Sequence, residues 1–376
     1  MDKISIEQVR RLPQRFTVSL LLWLVFLFSG MLLIYIIRPP VNQFRGTKAS
    51  HSNQSQLAKN NKNCTSNPTP VFTAEFTDFD NLKQTAPIGA IIAGSPGRAY
   101  VMVKGDASNR VMTPLYAPTD AKIISLVFAK RDPNNPTAPG EYRLELQISC
   151  EVTFNFDHMD EVSDKIKPNA PTTPSDRSND LKYVSIPVKA GELVGYSNGT
   201  DLAGSFDLFL LNSTKTAPHI NPNRWRWEQT VTADCPYNYY TDLLKSKYYS
   251  IMRAHDGRAL TSVDCGNPSH DVAGTVSGGW FQDKSSDTNG NWLEIGNQNG
   301  KVEINLRQNG FGVFSIRDYQ SKIMPEGIRQ GASICYADAN KWLYLRLDED
   351  TRLLVVKGTG TCPTAFPSSN IEFWER

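Results

Sequence analysis

The chain has 376 residues, with 40 Lys and Arg against 38 Asp and Glu, a net charge of +2 with the histidines neutral, and six cysteines. Charges this evenly balanced and interspersed, with no basic patch carrying interleaved aromatics, exclude a surface built for nucleic-acid phosphates. The length exceeds that of one ordinary domain and leads to an expectation of two.

In chain order, the first feature is Phe16–Ile37, an apolar run without a single charge. A helix rising about 1.5 Å per residue over this run crosses a hydrocarbon core of about 30 Å and satisfies its own backbone. Signal-peptide cores are shorter, about 7–15 residues, and end at a small-residue cleavage site. This run instead exits through Arg38-Pro39-Pro40. It is therefore read as an uncleaved transmembrane helix at 16–37, partnered by membrane lipid, behind a cytoplasmic tail at 1–15. Lys3, Arg10, Arg11 and Arg15 precede it, and Arg38, Arg45 and Lys48 follow, a distribution that leans towards an inside N-terminus. All six cysteines (Cys64, Cys150, Cys235, Cys265, Cys335 and Cys362) lie beyond the run, which suits an oxidising compartment. The expected location is the cell membrane, single-pass, with the C-terminal domains outside.

Residues 38–70 are rich in Asn, Ser, Gln and Lys and read as a flexible linker, because such a composition buries too little apolar surface to offset ordering entropy. A first β domain is expected over 71–220, with strands at Arg98–Val103, Ala121–Ala129, Tyr142–Phe156, Tyr183–Val188 and Ser205–Leu211. Pro- and Asn-rich insertions at 132–140 and 168–175 separate them. A second, disulfide-containing β domain is expected over 221–376. Its one helix candidate is Tyr237–Met252, with Asn238 or Thr241 as cap. An antiparallel meander follows: Trp292–Ile295, Lys301–Leu306, Gly312–Arg317, Ala332–Tyr336, Trp342–Leu347, Leu353–Lys357 and Ile371–Trp374. Asn299-Gly300, Asn309-Gly310 and Asp348–Asp350 supply hairpin turns. Asp271–Trp280, glycine- and serine-rich but without a P-loop Lys, reads as a turn-rich run between strands. Trp280, Trp292 and Trp342 fit a core better than a ligand cage, as do the aromatics of Tyr237–Tyr240. Cys235, Cys265, Cys335 and Cys362 are disulfide candidates, two bridges of open connectivity, with free buried thiols as the alternative. No C-x-x-C and no paired Cys/His spacing occurs, so no structural zinc is expected.

Three pieces of the first domain come in a distinctive order: Thr113–Ile124 (TPLYAPTDAKII), Cys150–Asp160 (CEVTFNFDHMD), and Val188–Gly195 (VKAGELVG) followed by Gly204–Leu210 (GSFDLFL). The order resembles the lysostaphin-type murein endopeptidases over Arg98 to Leu211. That resemblance implies a duplicated-hybrid-motif β-barrel or sandwich, so the whole reads as mainly β: a transmembrane helix, this β domain, then a meander barrel. The family holds zinc with an H-x-x-x-D and an H-x-H motif. None of the five histidines has an Asp four residues on, and Phe206-Asp207-Leu208 stands where H-x-H is expected. Only His158 falls at a family active-site position, that of a non-ligand base. The resemblance thus implies a degenerate relative with no catalytic residues, no metal and no cofactor.

His158, Asp160 and Asp207 are the candidate ligand-binding residues: an imidazole among carboxylates on neighbouring strands, either a polar groove for a glycan or peptide or a structural His tying strands together. The leading functional expectation is a membrane-anchored extracytoplasmic protein binding an envelope polymer or envelope protein. Two alternatives stand beside it. One is an active envelope hydrolase, although no G-x-S-x-G or H-E-x-x-H occurs. The other is an adaptor of a membrane transport complex, which shares the barrel-sandwich architecture but whose long coiled coil is missing here.

Overall fold

The computed structural model describes residues 64–91, 96–132, 135, 137–200, 204–308, 312–316, 323–337 and 340–376. The expected tail and transmembrane helix, the linker up to residue 63 and the Asn309-Gly310 turn lie outside the described residues. Among the described residues, no helix is long and apolar enough to cross a membrane.

The fold is mainly β. The first half contributes β1 (Leu82–Thr85), β2 (Ala99–Val103), β3 (Thr113–Tyr116), β4 (Ala121–Lys130), β5 (Gly140–Gln147), β6 (Val152–Met159), β7 (Glu161–Val162), β8 (Lys182–Val188), β9 (Leu193–Ser197), β10 (Ser205–Asn212) and β11 (Ala233–Asp234). A half-barrel sheet runs β1-β2-β10-β6-β5-β4-β8, with β11 on β10, and a small second sheet runs β3-β9-β7. The two-residue side-chain period decides which face is which. On β6, Phe154 and Phe156 enter the core while Thr153, Asn155 and Asp157 take the opposite face; on β10, Phe206, Leu208 and Leu210 do so against Ser205 and Asp207. The core is closed by Phe72, Phe76, Tyr237, Tyr240 and Tyr248, with Phe76 and Tyr248 stacked at 4.7 Å.

Three expectations need correction here. The run Tyr142–Phe156 is two strands, because Ser149 Oγ accepts the amides of Glu151 and Val152 and folds the chain back on itself. The helix is shorter than Tyr237–Met252. A 3-10 turn at Pro236–Tyr239 precedes α2 (Asp242–Ser250), the short α1 being Glu228–Val231. Tyr237 and Tyr240 are committed to the core, so the helix starts after them; Thr241 takes the N-cap position without a side-chain capping bond. Finally, residues 64–70 are fastened rather than free: Cys64 is disulfide-bonded to Cys150, and Ser66 Oγ and the Asn67 amide donate to the Glu151 carboxylate at 2.7 and 2.8 Å.

The second half adds β12 (Gly278–Phe281), β13 (Trp292–Gln298), β14 (Lys301–Gln308), β15 (Gly312–Ile316), β16 (Ser333–Ala337), β17 (Lys341–Glu349), β18 (Arg352–Thr359) and β19 (Glu372–Glu375). Two four-stranded meanders join where first meets last, giving the order β15-β14-β13-β12-β19-β18-β17-β16. Trp280 and Trp374 fill its core with Leu293, Ile295, Leu345 and Val355. Asn299 and Gly300 both have positive φ, 51° and 82°, the hairpin turn that Asn-Gly favours. Strand β12 replaces the end of the expected turn-rich run. Its glycines disguise it, and Gly279 is needed because a Cβ there would lie 2.2 Å from the Trp225 ring. Trp292 and Trp342 are buried, as expected of core residues. All four candidate cysteines are bridged, Cys235–Cys265 and Cys335–Cys362, and with Cys64–Cys150 no free thiol remains.

Candidate functional site

The site grows out of the polar face of the first sheet, where β6 ends. His158 has φ of 64°, the left-handed region that a residue with a side chain seldom enters. Here it falls next to an irregularity in the β5–β6 register. Strict alternation would send His158 towards the core behind Phe154 and Phe156. The left-handed backbone interrupts that alternation, so Asp157 and His158, although adjacent, both bond to Asp207-face groups, and Met159 returns to the core. Ser197 Oγ on β9 donates to the His158 carbonyl at 2.7 Å and holds the distorted peptide.

Around this imidazole runs a chain of ion pairs. Nδ1 lies 2.8 Å from Glu141 Oε1 on β5, and Nε2 lies 3.3 Å from Asp207 Oδ2 on β10. Arg98, just before β2, donates from Nη1 to Asp207 at 2.8 Å and to Asp157 at 2.9 Å, with its guanidinium 5.4 Å over the Phe209 ring. Beyond Glu141, Arg131 bonds that carboxylate at 3.1 Å and Asp160 at 2.7 Å, and Asp160 accepts the Asn198 amide at 2.8 Å. Five strands or strand ends are thereby cross-linked through charge.

The electrostatics follow from that geometry. Burial alone would lower the His158 pKa, but the carboxylates of Asp157, Asp207 and Glu141 outweigh it and raise it to about 11. Burial raises Asp157, and the Arg98 guanidinium and His158 imidazolium then bring it down to about 2. Arg98 is raised in its turn by the same two aspartates, against burial. His158 is therefore an imidazolium at neutral pH with both N–H groups committed. It has no lone pair to accept a proton from water or to bind a metal.

The structure brings the three candidate residues into one network. His158 and Asp207 touch, and Asp160 joins them through Arg131 and Glu141. Arg98, Arg131 and Glu141 were missed. The last two flank the β4–β5 hairpin, whose register places Ala129 opposite Glu141, so hairpin pairing was the available signal. The aromatics Tyr237, Tyr239 and Tyr240 are buried and offer no stacking platform.

Among the described residues, Glu141, Asp157 and His158 form the one group of potential metal ligands, their donor atoms lying within 4.8 Å of one another. They do not fit the zinc that a lysostaphin-type site implies. That metal takes imidazole nitrogens and carboxylates that are free to coordinate, whereas here both imidazole nitrogens face carboxylates and Asp157 is bound by Arg98. Comparison with known proteins is silent: no family model matches the chain, and no curated protein or solved structure matches it either.

Proposed function

We propose that the chain is a membrane-anchored extracytoplasmic binding protein, held by a helix at 16–37 with its N-terminus inside. Its first β domain is a non-catalytic relative of the lysostaphin-type endopeptidases that binds an envelope glycan, peptide or partner protein through the His158 face. One observation carries this reading: both nitrogens of His158 are held by carboxylates, with Arg98 bridging the two aspartates beside it. Hydrolysis of an amide needs an activated water, supplied by a free base or an open metal position, and this set of residues supplies neither. A cross-linked, partly open array of donors and acceptors is instead suited to holding a polar ligand in a fixed geometry. The three disulfides fit an oxidising compartment outside the membrane.

The test uses the purified full-length chain and insoluble peptidoglycan. Co-sedimentation that weakens on Arg131→Ala, with no release of new amino groups in the presence of zinc, is the expected result. Zinc-dependent release of amino groups would instead make the chain a hydrolase. Absence of sedimentation with peptidoglycan would move the search to envelope proteins.

A further inference from the structure

The polar face of the second sheet contains a carboxyl that nothing nearby satisfies. Glu294, in the middle of β13, is 1% exposed, and neither of its oxygens has a hydrogen-bond partner. Directly opposite on β14 sits Asn305, 6% exposed, whose Oδ1 is likewise without a partner. Cross-strand neighbours have Cβ atoms about 5 Å apart, so the two side chains stand next to one another on one face of the sheet. On the other flank, Gly279 pairs with Glu294 and the Trp225 ring lies across it; two residues along β13, the His270 ring lies across Gly296 in the same way. Both rings come from segments outside the sheet and cover this face.

Charge makes the arrangement costly as it stands. The charges acting on Glu294 are those of Asp271, Asp287 and Glu303, all negative. Asp271 and Asp287 are already committed, the first to the amides of Ile220 and Gly279, the second to those of Arg226 and Trp227 and to Thr230 Oγ1. A dry, unpaired carboxylate costs several kcal/mol, so Glu294 must be neutralised. A proton on one oxygen can donate to only one acceptor, so of the second carboxyl oxygen and Asn305 Oδ1 at least one stays unsatisfied. A cation between them engages all three.

We propose that Glu294 and Asn305 form an internal site for a monovalent cation of the sodium, potassium or ammonium class, enclosed beneath Trp225 and His270. One positive charge balances one carboxylate, whereas a divalent ion would leave an uncompensated buried charge. The proposal does not rest on the His158 face or on any ligand bound there.

The experiment follows thermal unfolding of the full-length chain at neutral pH as sodium, potassium or ammonium chloride replaces choline chloride at constant ionic strength. At concentrations well above the dissociation constant, at least one of the small cations raises the midpoint by about 5 °C relative to choline. Glu294→Gln, uncharged and of the same shape, melts at one temperature in all four salts, and Asn305→Ala needs more cation for the same rise. Identical wild-type midpoints in all four salts would overturn the proposal and leave Glu294 simply protonated. So would a cation response that survives in Glu294→Gln.

Discussion

The imidazole Nδ1 of His158 lies 2.8 Å from Glu141 Oε1, joining a left-handed residue near the end of β6 to the start of β5. The contact locks in a backbone conformation costing about 1–2 kcal/mol, and one charged hydrogen bond to the side chain offsets a cost of that size. It is also what commits the second face of the imidazole, since Asp207 holds the first.

Removing either carboxylate should loosen the hold on the imidazole proton. In Glu141→Gln the imidazole pKa falls from about 11 towards the ordinary range. Because the folded value is raised, the stability this group contributes is complete below its unfolded pKa of about 6.5 and is lost as pH rises through about 11. Titration of the His158 ring protons by NMR reads the first effect, and melting temperatures taken from neutral to strongly alkaline pH read the second. A ring that titrates near neutrality in the wild-type protein would contradict the network.

Arg98→Ala leaves Asp157 and Asp207 as buried carboxylates facing one another, with His158 as their remaining cation. The expected loss is about 3–5 kcal/mol, as is usual when one partner of a buried pair is deleted. The triple change with Asp157→Asn and Asp207→Asn should recover part of it. Chemical denaturation compares the two variants directly.

The bridge between Cys64 and Cys150 spans a separation of 86 residues. On the chain-entropy account its loss costs about 4.5 kcal/mol. Cys64→Ser with Cys150→Ser should melt earlier, and limited proteolysis should newly cut within residues 64–70, which the wild-type fold holds against Glu151.

Asn212 stands in an N-x-T triplet, yet it is fully buried and its amide donates to the Pro68 carbonyl at 2.8 Å and to the Tyr239 hydroxyl at 2.7 Å. No room exists for a sugar on that nitrogen in the folded protein. Mass spectrometry of folded protein from a glycosylating host should find Asn212 unmodified, and Asn212→Ala should cost about 1–3 kcal/mol through the donors and acceptors it strands.

Gly279→Ala places a methyl group 2.2 Å from the Trp225 ring. The strand is central and the ring is buried, so neither yields cheaply, and a loss of about 1–3 kcal/mol is expected. Tryptophan fluorescence should shift with it as Trp225 is displaced.

Most strands were legible in the sequence because each carries its own period and its own turn. Lys301–Gln308 follows an Asn-Gly hairpin, and Ser205–Asn212 opens with Phe206 and Leu208 alternating against Ser205 and Asp207. What escaped depended on partners distant in the chain. β12 reads as loop until Trp225, more than fifty residues earlier, is seen to need its glycines. Cys64 reads as linker until Cys150 takes it. The site divides in the same way. His158, Asp160 and Asp207 stood out as local patterns, whereas Arg98 enters only through the β2–β10–β6 order, which no short window of residues encodes.

That order has a counterpart in the second sheet, where β19 lies between β12 and β18. The strand made last among the eight occupies the middle, so during synthesis the two half-sheets remain separate, each presenting a raw inner edge lined by Trp280 or Leu353 beside it. Such edges invite pairing with other chains. Until β19 emerges, this half of the protein is exposed to self-association, and its completion waits on a single four-residue segment acting as the keystone.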